Sequence, residues 1–330
     1  MKPMKAARLV LVALGFTVTT AYPAFGQARG EEVSLRLGWI GKGYDAPYYL
    51  ALEKGFFAEN GLAVTIYKGQ GSTIGMKLVA NKSNTFGTGP ADALAKSIDA
   101  GLPLKMLLCA FQRTPIAFLM HQDSGIARPK DLEGKRVAFP PGSGQAQVYP
   151  AFVAATGIDG SKIRVANIDA GALLTVLLER KADAVLAWVT DRVILEGKGA
   201  KIAMMPFADH GLTLLANGLY THTDLIAQRP DLVRRFTQAT SRAYSYTLDH
   251  REEAMAALLK HIPELDPVVE RKILDITLDL RETPNSKGKT FGWMAREDWQ
   301  KTIETMRQFV GLEKTLPLDA YYTNDFLPSN

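Results

Sequence analysis

The chain has 330 residues and a formal net charge of +5, because it contains 39 Lys and Arg residues and 34 Asp and Glu residues. Residues 1–26 hold three of the basic residues and none of the acidic ones, so the rest of the chain carries only +2. This near balance argues against nucleic acid and against an anionic surface as partners. The single cysteine, Cys109, excludes an internal disulfide, and a chain of this size has room for two lobes.

The first 26 residues have the pattern of a cleaved export signal. Three basic side chains precede a short apolar run over 9–14, and Ala24 and Gly26 place small residues at the two positions that a signal peptidase reads. The run is too short for a membrane span, which needs about 20 apolar residues. We therefore expect residues 1–26 to be removed after export, which leaves a periplasmic protein.

Strand and helix patterns alternate along residues 33–111. Apolar residues recur at every second position over 33–39 and 62–66, which is typical of half-buried strands, and a helix from Pro47 to Gly61 lies between them. The alternation continues with a helix over 72–79, a strand over 84–88, a helix over 91–101 and an almost wholly apolar strand over 104–111.

The same alternation resumes beyond residue 115. Strands are predicted over 116–120, 136–139, 162–168 and 184–188, with helices over 145–155 and 171–180. Residues 239–259 and 267–280 then carry helical spacing, with Asp266 as the N-cap of the second helix and Pro267 at its first position. Repeated strand–helix alternation of this kind predicts an α/β protein.

Two such series predict two lobes connected by two crossing segments, one near 112–116 and the other near 211–217. Lobe 1 would comprise residues 32–115 and 217–330, and lobe 2 would comprise residues 116–216. Ligands bind at the carboxyl ends of strands in open parallel sheets. We therefore expect a ligand cleft between the lobes, lined by the turns that follow the strands.

Several segments recur in the order found in a known protein family. They are PYYLALEKGFFAENGLAVTI, GQGSTIGMKLVA, FGTGPADALAKSIDAGLPLKML, DLEGKRVAF, LLERKADAVLAW and YYTNDFL. In this pattern the chain resembles the solute-binding proteins of ABC importers for sulfonates, nitrate and thiamine-pyrimidine precursors. The resemblance covers essentially all of residues 33–330. It implies a two-lobe Venus-flytrap fold of type II with two crossover segments, and delivery of a small solute to a membrane permease and its ATPase subunits.

The superfamily that the chain resembles also contains the eukaryotic thiamine-pyrimidine synthase. That enzyme carries a histidine in the helix after the third strand and a cysteine-rich motif further on. Here the corresponding helix, GPADALAKSIDAG, has no histidine, and Cys109 is the only cysteine. We therefore expect a binding protein and not an enzyme, with no cofactor.

Three turns of lobe 1 supply candidate ligand contacts. In the first, Tyr44 offers a stacking face and Asp45 an acceptor for an amino group, although Asp45 equally suits a helix cap ahead of Pro47. The second and third turns place glycines and hydroxyls at helix starts, where backbone N–H groups favour anions or carbonyl oxygens. The candidates in these two turns are Ser72, Thr73, Thr88 and Gly89.

Lobe 2 supplies the opposite wall of the predicted cleft. Its turn over 141–145 likewise offers backbone N–H groups at a helix start. The turn differs from a nucleophile elbow because Pro141 and Gln145 replace the glycines of that motif. Trp188, at the end of a predicted strand, offers a stacking wall, with core packing as the competing interpretation. The candidates from lobe 2 are Gly142, Ser143, Gln145, Trp188 and Asp191.

Two classes of ligand remain open on the sequence. Tyr44, Asp45 and Trp188 favour a planar nitrogen-containing solute such as a pyrimidine precursor of thiamine. The glycine-rich turns and Arg113 suit a small anion such as an alkanesulfonate, nitrate or a carboxylate, although Arg113 equally suits a solvated position at the hinge. The five histidines show no metal-ligand spacing and the chain has no Walker motif, so we expect no metal site, and ATP hydrolysis would belong to a partner.

Overall fold

A computed structural model describes residues 30–141, 143–212 and 214–329. The predicted export signal and the candidate Gly142 lie outside the described residues. Within these three ranges, no helix is long and apolar enough to cross a membrane.

Ten strands of the described chain form two five-stranded sheets. They are β1 (Glu31–Arg36), β2 (Leu62–Tyr67), β3 (Phe86–Pro90), β4 (Leu104–Cys109), β5 (Ile116–His121), β6 (Arg136–Phe139), β7 (Arg164–Asn167), β8 (Ala184–Trp188), β9 (Ile202–Pro206) and β10 (Asn217–His222). The first sheet has the order β2-β1-β3-β10-β4 and the second the order β7-β6-β8-β5-β9. Within these sheets, β10 and β5 each run antiparallel to both of their neighbours.

Helices pack on both faces of each sheet. They are α1 (Ala46–Glu53), α2 (Phe56–Glu59), α3 (Ser72–Ala80), α4 (Ala91–Asp99), α5 (Gly144–Thr156), α6 (Leu173–Leu178), α7 (Asp191–Gly197), α8 (Thr223–Gln228), α9 (Pro230–Asp249), α10 (Arg251–His261), α11 (Pro267–Asp279) and α12 (Arg296–Phe309). In the first sheet, α1, α9 and α10 share one core cluster and α3, α4 and α12 share the other. The second sheet lies between α5 on one face and α6 and α7 on the other. The predicted α/β fold with two lobes is confirmed.

Aromatic stacking fixes α9 against the first sheet. Phe236 stacks on Phe86 of β3 with the ring centroids 4.0 Å apart, and on Phe57 of α2 at 5.0 Å. All three side chains are almost fully buried. On the same face, Tyr244 of α9 meets Tyr48 of α1 edge-on at 5.4 Å. This packing holds α1, and therefore the turn just before it, in a fixed position.

Two short segments carry the chain between the sheets and pair with each other. The chain leaves the first sheet after β4 and returns to it at β10. The N–H of Phe111 donates to the carbonyl of Asn217 at 3.0 Å, and the N–H of Ala216 donates to the carbonyl of Phe111 at 2.9 Å. These bonds bring the two crossing segments side by side at the boundary between the lobes.

Two predicted helices differ from the structure. The single helix expected over 47–61 is two helices, because Gly55 adopts a φ of 75°, a conformation that glycine reaches without strain. The long helix expected over 239–259 is likewise broken at His250, between α9 and α10. The elements that were not predicted are β9, β10, α7, α8 and α12.

The third strand also ends later than predicted. β3 runs to Pro90, so Gly89 lies in a strand and not at a helix start. The strand continues because Pro90 pairs with Asn217 of β10. The glycines have a steric reason, because the ring of Tyr220 from β10 fills the space that side chains at their positions would need. A Cβ on Gly87 would lie 2.5 Å from the Tyr220 ring, and a Cβ on Gly89 would lie 3.3 Å from it. The two glycines therefore reflect close packing inside the sheet.

Candidate ligand cleft

Three aromatic rings meet where the two sheets face each other. Tyr44 lies in the turn between β1 and α1, and its ring centroid is 6.3 Å from that of Trp188, with an angle of 45° between the planes. Phe111, in the segment that follows β4, meets Tyr44 edge-on at 6.0 Å. Tyr44 and Phe111 flank the first sheet, and Trp188 ends β8 of the second. The two predicted stacking residues thus approach each other from opposite sheets.

Asp45 is almost fully buried beside Tyr44, with 2% of its surface exposed. Its Oδ2 accepts the N–H of Lys42 at 3.1 Å, so it caps the single turn of 3₁₀ helix at 43–45. Burial raises the pKa of this carboxyl well above its usual value, and the negative charge of Glu270 adds to the rise. The sequence also suggested that Asp45 caps α1. Its side chain makes no hydrogen bond to α1 and caps the 3₁₀ turn instead. A buried carboxylate with few donors favours a ligand that brings an N–H group.

Asp191 orders the end of the opposite strand. Its Oδ2 accepts the N–H of Trp188 at 3.0 Å, which fixes the backbone that carries the tryptophan ring. Burial raises the pKa of the Asp191 carboxyl, while this N–H and the positive charge of Lys42 oppose the rise. Asp191 is therefore within the electrostatic reach of a residue that precedes α1, across the boundary between the sheets.

Negative charge surrounds the phenol of Tyr44. Burial raises the pKa of Tyr44 well above its usual value, and the charges of Asp45, Glu270 and Asp191 raise it further. Lys42 supplies a positive charge in this region, and its Nζ lies 3.4 Å from Oε1 of Glu270. The region therefore suits a solute that donates hydrogen bonds better than one that carries a negative charge.

Lys42 and Glu270 are residues that the sequence analysis missed. Glu270 lies on α11 and is 2% exposed. It occupies the buried face of that helix, three, four and seven positions before Ile273, Leu274 and Thr277. A glutamate on the apolar stripe of an amphipathic helix is seldom buried without a partner, and this spacing is the signal that identifies it.

A second contact between the lobes lies at α4 and α5. The Nζ of Lys96 on α4 donates to Oε1 of Gln147 on α5 at 3.3 Å. A Cβ on Gly144 would lie 3.5 Å from Oδ2 of Asp92, so this carboxylate sits close to the start of α5. Burial raises the pKa of Asp92. Another carboxylate of lobe 1 thus faces the predicted turn of lobe 2.

The other lobe 1 candidates are placed differently from Tyr44 and Asp45. Thr88 is buried in β3, and its Oγ1 accepts the N–H of Gly38 at 2.9 Å. Ser72 and Thr73 begin α3, whose N-cap is Gly71. Ser72 is half-buried and Thr73 is exposed. Thr88 and Gly89 therefore serve the packing of the sheet, while Ser72 and Thr73 lie in the first turn of α3.

Ser143 is the N-cap of α5. Its Oγ accepts the N–H of Ala146 at 3.1 Å, which satisfies one of the free donors of the first turn. Gln145 follows in the first turn of this helix and is half-buried. This geometry explains the serine without any catalytic role.

Replacing Ser143 with alanine should lower the free energy of unfolding by about 1 kcal/mol, the usual value for a lost N-cap. Urea denaturation followed by circular dichroism measures the change. Ser143→Asp, which restores a capping oxygen, is the matched control and should recover most of the stability. Equal loss in both variants would show that the hydroxyl has another role.

The crossing segment after Phe111 is held by the end of α11. The backbone N–H groups of Gln112 and Arg113 both donate to the carbonyl of Leu280, at 2.8 Å and 3.2 Å. The guanidinium of Arg113 donates to the carbonyl of Asp279. A cation at the C-terminus of a helix is favourable because it faces the negative end of the helix dipole. Arg113 therefore joins this crossing segment to the end of α11, while its Nε is buried without a hydrogen-bond partner among the described residues.

This is the fold of the periplasmic-binding-protein class. The described molecule has two α/β lobes, two paired crossing segments and aromatic and acidic side chains between the lobes. The chain belongs to the NMT1/THI5-like family, whose model matches residues 43–254.

Relatives of the chain include named binding proteins. It is 28% identical to the riboflavin-binding protein RibY of Chloroflexus aurantiacus over 94% of this chain and 90% of the relative. It is 26% identical to the formylaminopyrimidine-binding protein of Halalkalibacterium halodurans over 95% of this chain and 96% of the relative. Further relatives, at 24% identity or below, are named as 4-amino-5-hydroxymethyl-2-methylpyrimidine phosphate synthases.

A solved structure supports the fold. The periplasmic aliphatic sulphonate-binding protein SsuA of Escherichia coli superposes with a TM-score of 0.68, over 84% of this chain and 86% of that chain. The sequence identity is 15%, so the likeness concerns the fold alone.

Proposed function

We propose that this protein is the periplasmic solute-binding component of an ABC importer, and that its lobes close on a small planar solute that contains nitrogen. The meeting of Tyr44 and Trp188 beside the buried carboxylate of Asp45 carries this proposal. Ring faces suit a flat solute, and a poorly solvated carboxylate gains from an N–H donor. Thiamine-pyrimidine precursors have this chemistry. The mechanism would be capture by hinge closure and delivery to a permease.

The names of two relatives support a flat solute. Riboflavin and formylaminopyrimidine both contain a planar nitrogen heterocycle, and each alignment covers nine-tenths or more of both chains. At identities of 28% and 26%, the residues that line the pocket can differ between these proteins. The proposal therefore names a ring class and not a single compound.

A small anion is the second candidate ligand. Lys42 would attract it, and so would the backbone N–H groups at the starts of α3 and α5. Against it, three carboxylates raise the pKa of Tyr44. An anion would add negative charge to a region where burial already disfavours it. We therefore favour the planar solute over the small anion.

An enzyme related to the pyrimidine synthases is the third candidate, which we disfavour. The thiol of Cys109 is fully buried and donates to the carbonyl of Phe111 at 3.1 Å. Burial raises the pKa of this thiol to about 12, so almost none of it is thiolate at neutral pH. The side chain is therefore poorly suited to nucleophilic or redox chemistry.

Cys109 should not react with Ellman's reagent in the native protein at pH 8. One thiol per chain should react after unfolding in guanidinium chloride, because both burial and the raised pKa are then lost. Absorbance at 412 nm follows the reaction. Rapid labelling of the native protein would contradict this expectation and would reopen the enzymatic candidate.

A binding screen tests the proposed function. We would titrate riboflavin, 4-amino-5-hydroxymethyl-2-methylpyrimidine, an alkanesulfonate and nitrate by calorimetry, at low and high salt. The proposal expects binding of at least one heterocycle, with an affinity that changes little with salt. Binding of only the anions, weakened by salt through screening, would support the second candidate instead.

Small-angle X-ray scattering with and without the bound heterocycle tests the closing mechanism. The proposed hinge lies at 112–116 and 211–217, between lobe 1 (32–115 and 217–330) and lobe 2 (116–216). A ligand that acts by hinge closure should reduce the radius of gyration of the mature protein. An unchanged radius with a tightly bound heterocycle would contradict closure.

A further inference from the structure

The turn that carries Tyr44 and Asp45 is held by one carboxylate from a distant part of the chain. The N–H of Gly43 donates to Oε2 of Glu270 at 2.6 Å, and the Nζ of Lys42 lies 3.4 Å from Oε1. Glu270 is 2% exposed. Hydrogen bonds to a buried charged acceptor are among the stronger ones in proteins. The turn is therefore anchored through both oxygens of a single side chain.

Gly43 is fitted closely to the helix that carries this carboxylate. A Cβ on Gly43 would overlap the backbone carbonyl of Glu270. The turn and the first part of α11 thus lie in direct backbone contact, and any residue larger than glycine at position 43 would separate them. The contact leaves the turn little freedom to move without α11.

The other end of α11 reaches both lobe 2 and the hinge. Ile276 and Leu280 pack against the core cluster of the second sheet beneath α6 and α7. The carbonyl of Leu280 accepts the N–H groups of Gln112 and Arg113, in the crossing segment. One helix therefore contacts the ligand-facing turn at its start, and lobe 2 and the hinge at its end.

We propose that Glu270 is a positioning residue for ligand binding, which holds the turn of Tyr44 and Asp45 at a fixed place on α11, within lobe 1. The proposal rests on the proposed function, because the turn is taken to contact the solute. Without the carboxylate, the turn would lose its anchor on α11. The spacing of Tyr44 and Trp188 across the cleft would then vary, although neither ring touches the altered side chain.

Amide hydrogen exchange on the ligand-free protein tests the anchor without any ligand. Gly43 should be strongly protected in the wild type, although it lies outside the sheets. Glu270→Met keeps the volume of the side chain and removes both acceptors, and should speed exchange at Gly43 by at least 10-fold. Glu270→Gln keeps one acceptor and should stay within about 3-fold of the wild type, on the scale of a single hydrogen bond. Asp275→Ala is the matched control, because Asp275 lies on α11 and pairs with Arg251 and Arg271.

Calorimetric affinity for 4-amino-5-hydroxymethyl-2-methylpyrimidine and riboflavin tests the consequence for binding. Glu270→Met should weaken binding of whichever probe binds the wild type by about 10- to 100-fold, the scale of a lost hydrogen bond to a charged group. Glu270→Gln should recover most of the affinity, and Asp275→Ala should leave it unchanged. Recovery by the conservative variant separates positioning from a general loss of folding.

Three results would overturn the proposal. They are fast exchange at Gly43 in the wild type, wild-type exchange in Glu270→Met, and equal losses in Glu270→Met and Asp275→Ala. If Glu270→Met does not fold, fast exchange at Gly43 in the wild type would still overturn the proposal, and Glu270→Gln still tests the carboxylate. If the wild type binds neither probe, the proposed function fails, while exchange at Gly43 still decides whether Glu270 holds the turn.

Discussion

Replacing Trp188 with alanine should weaken the binding of a planar solute by about 1–3 kcal/mol, or roughly 5- to 150-fold, by analogy with the loss of one base-stacking aromatic ring. The indole ends β8 and faces Tyr44 at 6.3 Å, so a flat solute that enters the cleft meets it as a wall. Its removal also frees the Tyr44 ring to tilt. Calorimetry with riboflavin and with 4-amino-5-hydroxymethyl-2-methylpyrimidine measures the loss.

Two further variants give this experiment its controls. Trp188→Phe keeps a ring face and should recover a large part of the affinity. Trp39→Ala removes an indole that is 53% exposed on the loop after β1, and should leave the affinity unchanged. If Trp188→Ala binds as tightly as the wild type, the tryptophan does not contact the solute and its role is in packing.

Replacing Asp45 with asparagine should have opposite effects on binding and on stability. Binding of an N–H donor should weaken by about 10- to 100-fold, because the solute loses a hydrogen bond to a charged acceptor. The ligand-free protein should melt at a higher temperature near pH 7, since a charge that burial disfavours has been removed. The amide oxygen of asparagine can still accept the N–H of Lys42. Calorimetry and thermal melts measure the two effects.

The pH dependence of stability gives a second test of Asp45. Because burial raises its pKa in the folded state, the native protein holds this proton more tightly than the unfolded chain. The contribution of Asp45 to the free energy of unfolding is therefore fully present below its unfolded pKa of about 4. It is lost as the pH rises towards the pKa of Asp45 in the folded state. The stability advantage of Asp45→Asn should therefore grow as the pH rises from about 4. An advantage that shrinks over this range would contradict a raised pKa.

Most of the fold was predictable because its elements are local. The alternation of apolar residues around β1 and β2, and the pairing of Asp266 with Pro267 at the start of α11, depend on neighbours in the chain. The structure confirms that Asp266 caps α11, since its Oδ1 accepts the N–H groups of Val268 and Val269. Errors arose where tertiary contacts decide, as in β3, whose glycines make room for Tyr220.

The candidate site was predictable only in part. Tyr44 follows β1 and Trp188 ends β8, and the carboxyl ends of strands are where ligands bind in open α/β sheets. The helical spacing indicates that Glu270 is buried, but its partner could not be predicted from the sequence. Glu270 accepts from Gly43, which lies 227 positions away in the chain. Hydrogen bonds over such separations are set by the packing of whole helices. The bond from the Trp188 N–H to Asp191, by contrast, spans only three positions and depends on the local turn between β8 and α7.

The position of β10 has a consequence for the order in which the molecule assembles. This strand lies in the middle of the first sheet, between β3 and β4, yet it follows every strand of the second sheet in the chain. During synthesis from the amino terminus, β5 to β9 can pair as soon as they have appeared, whereas β4 must wait for β10, its neighbour in the described sheet. We therefore expect lobe 2 to fold first. Until β10 is made, the edges of β3 and β4 in lobe 1 stay unpaired, and a chaperone would have to shield them.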